Sequence, residues 1–189
     1  MLDSARFRLS PRSTALVLVD FQERLYRAME PERREEVLAN AVLLLKLAQT
    51  LGLPVLVTEQ YPAGLGATVP AIKNELPGGT PILEKLVFSA WGAEGFPESF
   101  RSLNARSAVV AGMESHVCVL GTALDLLDQA VAVHVAADAV ISRTRANWET
   151  GLRIMEKAGA VVSSTETVIF QLLGRAGTEA FKAMSKLLR

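Results

Sequence analysis

Three residue types in this 189-residue chain suit nucleophilic chemistry on a carbonyl: an aspartate at 20, a lysine at 85 and the lone cysteine at 118. Cys118 follows the turn residues 112–116 and enters an apolar helical pattern. At a helix start, unpaired N–H groups and the macrodipole favour a thiolate, and the same N–H groups can hold the oxyanion that a thiolate attack creates. The other reading of Cys118 is a small buried hydrophobe. Asp20 directly follows five apolar residues, Ala15 to Val19, so its carboxylate is expected to be partly desolvated. It suits either a proton acceptor or a helix N-cap. Lys85 interrupts an apolar run and reads either as an edge residue snorkelling to water or as a cation that favours the ionised forms of a neighbouring carboxylate and thiol. His116, two residues before Cys118, reads as a loop or pocket-lining residue. His134 sits in an apolar run and reads as a core or surface histidine. Glu59 and Asp138 read as caps or loop ligands.

These residues are spaced along a regular alternation. Short apolar runs at 14–19, 54–58, 82–87, 107–111, 131–136 and 160–163 are mostly continuous rather than alternating, the pattern of strands covered on both faces. Helical patterns lie at 31–51, 117–127, 146–158, 166–173 and 178–188, the first opening on Pro31 and closing at Gly52. Strand–helix alternation of this length predicts a doubly wound, mostly parallel six-stranded sheet in a three-layer α/β/α arrangement. Segments 61–66 and 77–81 are predicted loops. No linker, repeat or low-complexity tract divides the chain, so residues 1–189 are expected to form a single domain. Ligands of such sheets bind beyond the carboxyl ends of the strands. Asp20, Glu59, the 112–118 segment and Asp138 follow predicted strands, and Lys85 lies within the third. Phe21, Tyr61 and Trp91 fall on the same predicted rim and suggest a small pocket with apolar or planar contacts.

Composition narrows the function classes. Twenty Lys+Arg balance 20 Asp+Glu, which argues against a nucleic-acid footprint or a polybasic membrane patch. One cysteine and two histidines cannot build the common four-ligand or three-histidine zinc sites. A lone cysteine suits a reducing compartment, no signal-peptide pattern opens the sequence, and the protein is expected to be soluble and cytoplasmic. Gly64-Leu-Gly66 lacks the third glycine of a dinucleotide fingerprint, and no Walker A loop, Gly-x-Ser-x-Gly elbow or His-Glu-x-x-His helix is present.

Three segments together resemble the isochorismatase-like cysteine hydrolase superfamily: Leu16-Val-Leu-Val-Asp20-Phe-Gln22, Glu84-Lys85-Leu-Val-Phe-Ser-Ala90, and Val110-Ala-Gly-Met-Glu-Ser-His-Val-Cys118-Val with Thr122-Ala-Leu-Asp125. Thr58-Glu-Gln-Tyr-Pro62 and Phe170-Gln-Leu-Leu-Gly174 are similar to the isochorismatase domain-containing branch. The resemblance implies an Asp20–Lys85–Cys118 triad and a cis peptide between Met113 and Glu114, with the backbone N–H groups of Glu114 and Cys118 forming an oxyanion hole. It implies a cysteine hydrolase of a small amide or carbamoyl compound acting through a thioester, and a homo-oligomer, for which the tail helices from 166 to 188 are candidate contacts. Nicotinamidases of the superfamily carry an Asp/His/His metal site after the second strand. Here 59–85 holds no histidine, so no metal or other cofactor is expected. The expected partner is a small-molecule substrate, with neither nucleic acid nor membrane. A catalytically silent scaffold that retains the fold is the alternative.

Overall fold

The computed structural model describes residues 4–188; residues 1–3 and 189, which the sequence reading counted in the domain, lie outside the described residues. After a 3-10 turn at Ser4–Phe7 come β1 (Thr14–Val19), α1 (Glu23–Ala28), α2 (Pro31–Leu51) and β2 (Val55–Gln60). Two one-turn helices, α3 (Pro62–Leu65) and α4 (Pro70–Lys73), lead to β3 (Ile82–Lys85), a second 3-10 turn (Ala90–Gly92) and α5 (Phe96–Ser102). The second half runs β4 (Ser107–Met113), α6 (Cys118–Asp128), β5 (Ala132–Ile141), α7 (Arg145–Ala158), β6 (Val161–Ser163), α8 (Thr165–Leu173) and α9 (Glu179–Ser185). The six strands form one sheet in the order β3-β2-β1-β4-β5-β6, and each neighbouring pair is parallel.

The continuous apolar runs are explained by two separate cores. Leu16 and Leu18 of β1 join α2 and α8 on one face, while Ala15, Val17 and Val19 join α5, α6 and α7 on the other. Every β1 side chain is therefore buried, and alternation has no polar face to mark. Tail helix α8 turns Val168, Ile169 and Leu172 into the first core, and α9 adds Met184. The apolar residues of the tail thus pack mainly on their own chain. No helix among the described residues is long and apolar enough to cross a membrane.

The short helices α1, α3, α4 and α5 were not predicted, and several strands differ from the prediction at their carboxyl ends. β2 runs on to Gln60 because Glu59 and Gln60 pair in register with Glu84 and Lys85. β3 stops at Lys85 rather than 87, since the Lys85 ammonium draws in the carbonyls of Val87 and Phe88 and bends the chain away. Asp138 lies within β5, where the register against β4 shifts between Val110 and Gly112. Segment 61–66 holds the turn α3, with Tyr61 in a left-handed conformation before Pro62.

Candidate active site

The carboxyl ends of β1, β2, β3 and β4 lie side by side, and three of them supply the buried polar cluster. Asp20 ends the β1 segment, where its amide donates to the Thr58 carbonyl at 3.1 Å. Its φ of 54° is left-handed, a conformation that Asp tolerates better than most non-glycine residues. It serves no helix cap: Gln22 holds the N-cap of α1. The Asp20 carboxylate instead accepts from Thr58 Oγ1 at 2.7 Å through Oδ1 and from Lys85 Nζ at 2.6 Å through Oδ2.

Lys85 does not snorkel. Its ammonium is fully buried and donates to Asp20, to Gln60 Oε1 at 2.8 Å and to the Phe88 carbonyl at 2.8 Å. Cys118 opens α6 near enough to Asp20 and Lys85 that both charged groups act on its thiol. The fold therefore brings Asp20, Lys85 and Cys118 together from β1, β3 and α6.

Burial dominates the electrostatics of this group. Desolvation pushes Asp20 above the ordinary carboxylate range, against the attraction of Lys85. Cys118, 5% exposed, is pushed up to about 12 by desolvation first and by the neighbouring Asp20 charge second. The helix start was expected to favour a thiolate; in the resting site burial and Asp20 outweigh it, and the thiol keeps its proton.

The turn carrying the thiol is clamped from several sides. The Met113–Glu114 peptide is cis. The Glu114 carboxylate accepts from both the backbone N–H and Nε of Arg143. Ser115 and His116 share the Ser142 hydroxyl, at 2.6 and 2.9 Å. Two glycines permit the close approach. A Cβ on Gly112, which has φ 147°, would lie 2.2 Å from the Val19 carbonyl oxygen, and one on Gly151 of α7 would lie 2.6 Å from that of Ser115. Thr122 of α6 accepts from the amide of Ala90, tying the nucleophile helix to the loop after β3.

The remaining sequence candidates disperse. Glu59 binds Thr68 through its backbone N–H and hydroxyl, and Asp138 does the same for Thr165, so both are loop ligands. His134 is buried, donating from Nε2 to the Arg6 carbonyl at 3.0 Å, and its Nδ1 has no partner. Of the three aromatic residues expected to line a pocket, Tyr61 lines a cleft beside Lys85. This cleft of about 440 Å³ has Glu84, Lys85, Leu86, Val87 and Gly92 among its other walls. Phe21 is instead buried in the first core, and Trp91 stacks edge-to-face on Phe96 and Phe100. Sequence reasoning missed Gln60, Gln22 and Thr58. Gln22 accepts from the Gln60 amide and donates to the Gln60 carbonyl, holding the residue that in turn holds Lys85. The register that places Gln60 opposite Lys85 is the signal that identifies it.

A buried thiol, carboxylate and ammonium at the strand ends of this α/β sandwich coincide with a family match. The isochorismatase domain profile matches residues 14–167, and the chain belongs to that family of hydrolases. Within it, the chain is similar to isochorismatase domain-containing protein 2 of Homo sapiens, 37% identical over 188 residues that cover 96% of this chain and 86% of that one. It is equally similar to the secreted isochorismatase effector Isc1 of Phytophthora sojae, 37% identical over 96% of this chain and 87% of that one. Among solved structures, the MAR1 ribonuclease of Caenorhabditis elegans superposes with a TM-score of 0.90 at 35% identity, covering 96% of this chain and 92% of that one. The Escherichia coli ycaC product, described as an octameric hydrolase of unknown specificity, superposes with a TM-score of 0.87 at 24% identity, covering 95% and 90%, which is a likeness of fold.

Proposed function

We propose that the protein is a metal-independent cysteine hydrolase of a small amide or carbamoyl compound, acting as a single domain through a thioester on Cys118. The observation that carries this reading is the buried Lys85–Asp20 pair whose charges act on the Cys118 thiol. A thiol held at about 12 needs a local base, and Asp20, the carboxylate that acts on it, has its own affinity for protons raised.

In this mechanism Asp20 takes the Cys118 proton and the Lys85 ammonium balances the charge left behind. The thiolate attacks the carbonyl carbon, and the oxyanion rests on the backbone N–H groups of Glu114 and Cys118. The tetrahedral adduct collapses, the C–N bond breaks, and the amine departs with the proton from Asp20. Water then gives its proton to Asp20 and attacks the thioester; Cys118 leaves as thiolate and recovers that proton.

Two features support a small, non-polymeric substrate. Acidic and basic residues balance across the chain, and the cleft beside Lys85 is small and bordered by Tyr61. Among the described residues no group of three or more His, Cys, Asp or Glu side chains could hold a metal ion. The free cysteine supports a reducing, cytoplasmic setting. The octameric description of the E. coli relative supports a homo-oligomer.

The burial of Cys118 favours one second reading, a silent scaffold that keeps the triad without turnover. A screen of small amides and carbamoyl compounds for ammonia release separates the two. The hydrolase reading expects release that Cys118→Ala abolishes while the fold survives; release unaffected by Cys118→Ala contradicts it.

A further inference from the structure

We infer that the exposed apolar loop at residues 86–88, together with Tyr61, is a docking surface for a second copy of this chain, which roofs the cleft beside Lys85. Leu86, Val87 and Phe88 are 77%, 50% and 64% exposed, and Tyr61 is 53% exposed. Three large apolar side chains in succession at the surface are not explained by their own chain. The backbone of this loop faces inward, where the carbonyls of Val87 and Phe88 accept from the Lys85 ammonium, so the side chains are turned outward to water. Tyr61 joins them because its amide donates to the Lys85 carbonyl at 2.8 Å. The patch and the cleft share Tyr61, Leu86 and Val87 as walls.

Area argues for a copy of the chain rather than for a small ligand. At roughly 150–200 Å² per large side chain, these exposures leave on the order of 400 Å² of apolar surface. A stable interface buries about 800 Å² per partner, of which roughly 450–520 Å² is apolar, so this patch supplies most of the apolar centre that a dimer needs. The flanking charges are self-complementary, as a two-fold contact requires. Glu84 and Glu94 border the cleft, and Arg24 donates through Nη1 to the carbonyl of Gly64, in the turn that follows Tyr61. None of the ion pairs among the described residues uses these three side chains. Across a two-fold axis, Arg24 of one copy meets Glu84 or Glu94 of the other. The tail helices compete poorly for the role, since their apolar residues are largely spent on the chain's own core.

Sedimentation velocity from about 1 to about 100 μM tests the surface without reference to catalysis, so its failure is distinct from that of the hydrolase reading. The wild-type chain sediments as a multiple of its own mass. Leu86→Glu sets like charges against each other across the interface and weakens association by roughly 100-fold or more. Phe170→Glu, on the exposed side of α8, leaves association through this surface intact. Hydrogen exchange locates the contact in the unaltered protein: amides 86–88 slow as concentration rises. A wild-type monomer throughout the range, a Leu86→Glu variant that associates as the wild type does, or exchange at 86–88 that ignores concentration overturns the proposal.

Discussion

Replacing Lys85 by methionine strips the ammonium from Asp20, whose side chain is fully buried. At 2.6 Å and an effective dielectric near 20, the lost attraction is about 6 kcal/mol before desolvation is offset. Removing one partner of a buried pair costs about 3–5 kcal/mol in practice. The carboxylate has an escape, which bounds the loss: it can fold protonated. Against a reference value of 3.8, taking up that proton costs about 4.4 kcal/mol at pH 7 and about 1.6 kcal/mol at pH 5. The sign follows from linkage. A carboxyl whose folded pKa is raised favours the folded state at low pH and loses that advantage as pH rises. Lys85 opposes the rise in the wild type, so the variant carries the steeper dependence. The unpaired Gln60 Oε1 and Phe88 carbonyl add about 1–3 kcal/mol that does not vary with pH. Urea unfolding at the two pH values reads both parts. The expected loss is about 4–6 kcal/mol at pH 7, shrinking by about 2–3 kcal/mol at pH 5. A loss below about 1 kcal/mol, or one identical at both pH values, refutes the reasoning.

Other perturbations act on the supports of the site. Gly151→Ala pushes a Cβ against the Ser115 carbonyl, with backbone on both sides, and is expected to cost about 1–3 kcal/mol in denaturation while slowing Cys118 alkylation by displacing its turn. Unchanged stability and rate would show that the turn gives way freely. Burial lowers the pKa of His134 below its ordinary 6.5, so stability present above that value is lost as pH falls through the folded one. His134→Gln, which keeps a donor for the Arg6 carbonyl, is expected to flatten melting temperature against pH on the acid side; an unaltered acid slope would assign that loss to other groups.

Much of the fold was legible because both faces of the sheet are covered, so strands such as β1 read as unbroken apolar runs bounded by helical patterns. What apolarity could not mark were strand ends set by polar contacts. Glu59 and Gln60 extend β2 because they pair with β3, and Lys85 ends β3 by drawing in two carbonyls. Asp20 and Cys118 were visible as ionisable residues at a strand end and a helix start, and Lys85 as a charge interrupting an apolar run. Gln60 was not, because its role depends on sheet register rather than on its own sequence context. The packing partners of Phe21 and Trp91 were hidden for a related reason. The left-handed Asp20 breaks the strand's alternation just before Phe21, and Trp91 finds Phe96 and Phe100 across a loop. The thiol's resting state also needed the fold, since desolvation is a property of what surrounds α6 and not of Cys118 itself.

The central claim is that Asp20 is the proton acceptor for Cys118, and the pH profile of Cys118 alkylation by iodoacetamide tests it most directly. In the wild type the rate is expected to rise as Asp20 loses its proton and then hold level up to the thiol's own titration, because the hand-off is internal. Asp20→Asn removes the acceptor, and its rate is expected to lack that plateau and climb about tenfold per pH unit toward the thiol's own titration. Profiles that superimpose for the two proteins would contradict the account.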